Sequence, residues 1–122
     1  MSILIVGEDP LGLEAVSLRL AELAGLSAEA FWARTEYHSC SVGAAEDIWP
    51  SLVGRHSILL GPRVGVALGL RWAPLKWMYL IDGHQTAVAI LPDPNGPWWS
   101  EATNRSAARR FMRATYGTED DQ

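Results

Sequence analysis

The sequence predicts an α/β protein with a central, mostly parallel sheet in a three-layer αβα arrangement. Three observations carry that expectation. Strand-like and helix-like segments alternate along most of the chain, the pattern that covers a parallel sheet on both faces. The clearest strand segments are short apolar runs without polar interruption, as expected of buried strands. Glycine and proline stand at the ends of most segments, where they punctuate regular structure. The 122 residues suit one domain, expected over 1–117, followed by an acidic tail at 118–122.

Taken in order, Ile3 to Val6 is an apolar run closed by Gly7 and reads as the first strand. Pro10 then suits the first turn of a helix. Leu13, Val16, Leu20 and Leu23 continue it at helical spacing, and Gly25 stops it. Ser27 caps a second, shorter helix through about Arg34. Residues 37–42 read as a strand, and residues 44–52 as a short helix interrupted by Pro50. Residues 57–60 are the next clear strand, and Gly61-Pro62 opens a helix that Gly69 closes. Residues 77–81 and 86–91 form two more strands, with Asp82-Gly83 as a hairpin signal between them. Proline and glycine exclude regular structure from residues 92–97. A last helix is expected over about 101–115, with Ala108, Phe111, Met112 and Thr115 on its apolar face.

Composition narrows the function classes. Apolar residues make up 48% of the chain, enough for a core without staples, and the single Cys40 excludes an internal disulfide. The first residues carry no basic leader or cleavage site, and no apolar run approaches the roughly 18 residues of a membrane span. A cytoplasmic setting without membrane contact is therefore expected. His38, Cys40, His56 and His84 match no zinc spacing, so neither metal nor cofactor is expected. No nucleophile elbow is present.

The net charge of −4 opposes a strongly electrostatic nucleic-acid binder. However, Glu119, Asp120 and Asp121 concentrate acid in the tail, whereas Arg105, Arg109, Arg110 and Arg113 gather base in the last helix. The cheapest reading of those arginines is a solvated face; the sharper one is phosphate contact.

In open α/β sheets ligands bind beyond the carboxyl ends of the strands. Two irregular loops leave strands there, residues 7–12 and 92–100, and they hold most of the unusual chemistry. In the first, Glu8 and Asp9 stand at the mouth of a helix. They suit either a helix terminus, where acids gain about 0.3–1 kcal/mol, or a general base that positions water. In the second, Trp98 and Trp99 offer packing or base stacking worth about 1–3 kcal/mol.

Gly7-Glu8-Asp9-Pro10 resembles the first motif of the uracil-DNA glycosylase superfamily. Leu59-Leu60-Gly61-Pro62-Arg63-Val64 is similar to the family's central strand and following helix. Ile90-Leu91-Pro92-Asp93-Pro94-Asn95-Gly96, followed by Trp98, Trp99, Asn104 and Arg105, resembles its closing motif. The three stand in the family's order over about residues 2–116. The resemblance implies a uracil-DNA glycosylase-like fold, a hydrolase of DNA repair that acts on a base extruded into a pocket. It makes Glu8, Asp9 and Asp93 the candidate catalytic residues. Gly7, Pro10, Leu11, Asn95, Gly96, Trp98, Trp99, Asn104, Arg105 and Arg109 become candidate ligand contacts. By the same resemblance Asp9 positions water, Glu8 adds polar contacts, and Leu11 replaces the residue that shapes the pocket wall.

Asp93 departs from the pattern, because the family has a histidine there that donates to the departing base. A carboxylate about 4 Å from that developing anion repels it by roughly 4 kcal/mol at an effective dielectric near 20. That is about a thousandfold in rate. An ionised Asp93 suits instead an exocyclic amine or a sugar hydroxyl, or simply an Asx turn. The expected partner is a nucleic acid, single-stranded or with a flipped base, or a free nucleotide. A non-catalytic module that binds nucleic acid or a protein partner is the competing expectation.

Overall fold

A computed structural model describes residues 3–8, 16–40, 47–71, 73–80, 83–92 and 96–118. The chain divides into two compact units, one of residues 1–11 and 34–93, the other of residues 12–33 and 94–122.

The first unit holds a five-stranded sheet in the order β2-β1-β3-β5-β4. Its strands are β1 (Ile3–Glu8), β2 (Thr35–Cys40), β3 (His56–Leu60), β4 (Met78–Tyr79) and β5 (Ala87–Leu91). The first four in spatial order run parallel, and only β4 is antiparallel, against β5. The expected α/β class and mostly parallel sheet are thus present. The three apolar runs of the sequence became β1, β3 and β5. Their core residues, Leu4, Ile5, Val6, Ile58, Leu59, Val88 and Ala89, are completely buried, as in parallel strands that bury both faces.

Alternation divides these side chains between the faces. Leu4, Val6, Leu59, Val88 and Ile90 share one face and pack with Cys40, Ile48, Leu52 and Leu68 in a single cluster. Ile5, Ile58 and Ala89, aligned in register, occupy the other. Ser57 lies between Leu4 and Val88 in that register and is fully buried.

β2 spans 35–40 rather than the expected 37–42. Its polar sequence matches its place at the sheet edge, with Glu36, His38 and Ser39 exposed. The Glu36 carboxylate accepts from both terminal nitrogens of Arg55, at 3.2 and 3.4 Å. That hydrogen bonding, then the charge of Arg55, holds the Glu36 carboxyl below its ordinary value. The expected strand 77–81 is only two residues long, although the antiparallel return through Gly83, at φ +76°, agrees with the hairpin signal.

Two short helices complete this unit among the described residues: α3 (Trp49–Leu52) and α4 (Pro62–Ala67). Pro50 does not interrupt α3. It sits in the first turn, where a missing N–H costs nothing. In α4, Gly65 approaches β5 so closely that an added Cβ would lie 2.6 Å from Ile90 Cδ1.

The second unit is helical. A π-helical turn, Ser17–Ala21, runs into α1 (Glu22–Ala24), which ends at left-handed Gly25. The predicted Ser27 cap is present: its hydroxyl accepts from the Ala30 N–H at 3.1 Å and starts α2 (Ala28–Trp32). A 3-10 turn, Pro97–Ser100, precedes α5 (Ala102–Tyr116). α5 buries Ala108, Met112 and Tyr116, while Phe111 and Thr115 are half-buried. Phe31 packs against Tyr116 and Trp32, with both ring centroids 5.2 Å away. No helix among the described residues is long and apolar enough to cross a membrane.

Candidate functional site

In the first unit the winding reverses at β1. β2 lies on one side of it, and β3 and β5 lie on the other. Such a reversal opens a crevice beyond the carboxyl ends of the adjacent strands, because the connections depart in opposite directions. The register places Gly7 beside Leu60, and Leu60 beside Leu91. Neighbouring strands lie about 4.8 Å apart, so the backbones of Gly7 and Leu91 are separated by roughly 10 Å. β1, β3 and β5 run parallel, so the carboxyl ends of β1 and β5, at Glu8 and Leu91, lie at the same edge of the sheet.

Gly7 is buried within β1. Gly61, just beyond Leu60, adopts φ +107° and donates its N–H to the Leu91 carbonyl at 2.7 Å. A side chain is strained at that φ, so glycine permits the turn. The sequence reading recognised Gly61 only as a helix opener, because its bond to β5 joins residues 30 apart. Cys40, at the end of β2, is aligned with Glu8 and buried.

The candidate residues Asp9, Pro10, Leu11, Asp93 and Asn95 lie outside the described residues. The strands that carry Gly7-Glu8 toward Asp9 and Leu91-Pro92 toward Asp93 are described and share one edge.

The other candidates belong to the second unit and form a compact group of their own. Trp98 and Trp99 meet edge to face, with centroids 4.7 Å apart and planes at 81°. Trp99 is 2% exposed, and the Arg19 guanidinium carbon lies 5.1 Å from its ring centroid. One face of Trp99 is thereby given to a cation–π contact, and Trp98 is the half-buried member of the pair. The Asn104 amide donates to the Trp98 carbonyl at 2.9 Å, and Arg105 donates to the Trp99 carbonyl at 2.6 Å. The Ser100 hydroxyl donates to the Pro97 carbonyl at 2.7 Å. Asn104 and Arg105 thus tie the start of α5 to the 3-10 turn, and Ser100 closes the turn on itself. The Glu101 N-cap of α5 makes no side-chain cap bond. Gly96 supplies the extended residue that enters the turn.

The arginines of α5 thus differ in their surroundings. Arg105 is half-buried on a carbonyl, whereas Arg109 and Arg110 are exposed. Arg113 lies flat beside Gly25, its guanidinium 3.4–3.5 Å from where a Cβ there would stand. Its position at the end of α1 is favourable, since a cation complements the carbonyl end of a helix. Arg19 was missed by sequence reasoning, because nothing local connects it to Trp99, 80 positions later. Among the described residues, no group of three or more His, Cys, Asp or Glu could hold a metal ion.

The chain matches no protein-family model and no curated protein.

Proposed function

We propose that the chain is a divergent uracil-DNA glycosylase-like domain that holds a nucleobase at the carboxyl edge of its sheet. The observation that supports this reading is the shared edge of β1 and β5 at the point where the winding reverses. The strands that lead into the two segments resembling the family's first and closing motifs both end there. Gly7 and Gly61, which carry no side chain, stand at that edge.

In this proposal the chemistry is hydrolysis of an N-glycosidic bond. Asp9 accepts a proton from water as the water oxygen bonds to the sugar carbon. The bond to the base nitrogen breaks, and its electron pair leaves with the base. Asp93 opposes a base that departs as a full anion, so plain uracil is a poor substrate. A base with an exocyclic amine suits the site better, since an ionised carboxylate accepts from such a donor.

The test uses oligonucleotides that carry uracil or a modified base, with alkaline cleavage at abasic sites as readout. Little or no uracil release is expected from the wild type. Activity on the preferred base should fall about 100-fold or more in Asp9→Asn, and Asp93→His should raise uracil release. Robust wild-type uracil excision that Asp9→Asn leaves untouched would falsify the scheme. The same carboxylate at 93 favours a second reading, a module that binds the base without turnover. Binding of a modified-base oligonucleotide with no abasic product from any substrate would select it.

A further inference from the structure

Charge in this protein is segregated. Four of the ten cationic side chains lie in the 15 residues of α5, a helix with no acidic residue. Helical geometry gathers Thr103, Ser106, Arg109 and Arg110 on the side opposite Ala108 and Met112. All four are exposed. Ser106 lies one turn from Thr103, Arg109 and Arg110, at the spacing at which side chains are neighbours. Neither Arg109 nor Arg110 pairs with a carboxylate among the described residues. Arg113, one turn beyond Arg109, has a buried Nε without a hydrogen-bond partner among them and adds its charge to the same side.

We infer that this face of α5 is a contact rail for the phosphodiester backbone of a nucleic-acid strand, read without regard to base. The choice of occupant follows from what the face has and lacks. Exposed arginines with interleaved hydroxyls are the groups that contact phosphate oxygens, and the guanidinium fork fits a phosphate in bidentate fashion. A protein partner would need a large apolar or aromatic anchor, and the only apolar side chains on this face are small, Ala102 and Ala114. A membrane surface would need the apolar side of the helix to enter lipid, but Ala108, Met112 and Tyr116 are already buried within the protein. Arg105, expected from the sequence as a phosphate contact, is not part of the rail because it bonds to the Trp99 carbonyl. The inference rests on the nucleic-acid reading above for the identity of its ligand, but base chemistry plays no part in its test.

The full-length protein is titrated into a fluorescein-labelled 20-mer of thymidylate at 50, 100 and 200 mM salt. Three neutralised phosphates on a single strand give a log–log slope near −2, about a 20-fold loss of affinity over that range. Arg109→Gln/Arg110→Gln should bind more weakly at every salt and lose only about threefold over the range. Arg71→Gln/Lys76→Gln removes the same charge from exposed positions outside α5 and should leave the slope unchanged. Three results would overturn the inference: no wild-type binding at 50 mM salt, equal weakening by the control pair, or a poly-glutamate peptide of equal length bound as tightly. Base release is measured separately, so loss of the rail and loss of the proposed excision site are told apart.

Discussion

At the scale of single residues, the two adjacent tryptophans show how neighbours in sequence acquire different tasks. Both follow the same proline-rich loop, and both are candidates for stacking on a base. Trp99 is buried and carries Arg19 on its ring, whereas Trp98 keeps part of its surface in solvent. Removing a buried tryptophan costs about 3–5 kcal/mol, since the surroundings fill the cavity only in part. Urea denaturation of Trp99→Ala should therefore show a loss of that size, and Trp98→Ala a loss under half as large. Equal losses would mean that the pair shares its burial. Stacking on a base, if it occurs in this group, is then a property of Trp98.

At the scale of elements, the closest approach in the sheet unit is that of α4 to β5 at Gly65 and Ile90. Alanine in a helix gains about 1 kcal/mol over glycine from backbone entropy. Here the added methyl meets Ile90 Cδ1, buried at 1% exposure, and overpacking of that kind costs about 1–3 kcal/mol. Gly65→Ala should accordingly lower stability by about 1 kcal/mol. Ile90→Val removes the Cδ1 atom, so in that background the same change should turn neutral or stabilising. The coupling, read as a double-mutant cycle from denaturant midpoints, would be absent if α4 simply moved aside. α4 was legible in the sequence as a helix from Pro62. The contact that fixes its distance from the sheet was not, because Gly65 and Ile90 are 25 positions apart.

At the scale of the whole molecule, a chain of net charge −4 carries a helix of four arginines. The charges of Glu119, Asp120 and Asp121 act on any approaching polyanion through the field of the protein as a whole, which salt screens within about 10 Å at 0.1 M. Ending the chain after Thr118 removes those three carboxylates and takes the formal charge from −4 to −1. The shortened protein should bind a labelled single strand several-fold more tightly at 20 mM salt and nearly identically at 200 mM. An unchanged affinity at 20 mM would show that the field of the acidic tail does not reach the binding surface.

The sequence by itself determined the α/β class, the three buried strands, the Ser27 cap and the long last helix. It also marked two irregular loops, residues 7–12 and 92–100. All of these are local properties: periodicity, capping chemistry and turn residues act among neighbours within a few positions. The tertiary structure alone decided the strand order and register that bring the ends of β1 and β5 to one edge with Gly61 between them. It also decided that β2 begins at Thr35, that Trp99 rather than Trp98 is buried, and that Arg105 leaves the basic face for a carbonyl. Each depends on partners far away in the chain, and a residue's own neighbourhood carries no signal of which distant segment its backbone or side chain will meet. The burial of the apolar strand residues selects those partners, since a one-residue slip of register turns every side chain of a strand to the other face.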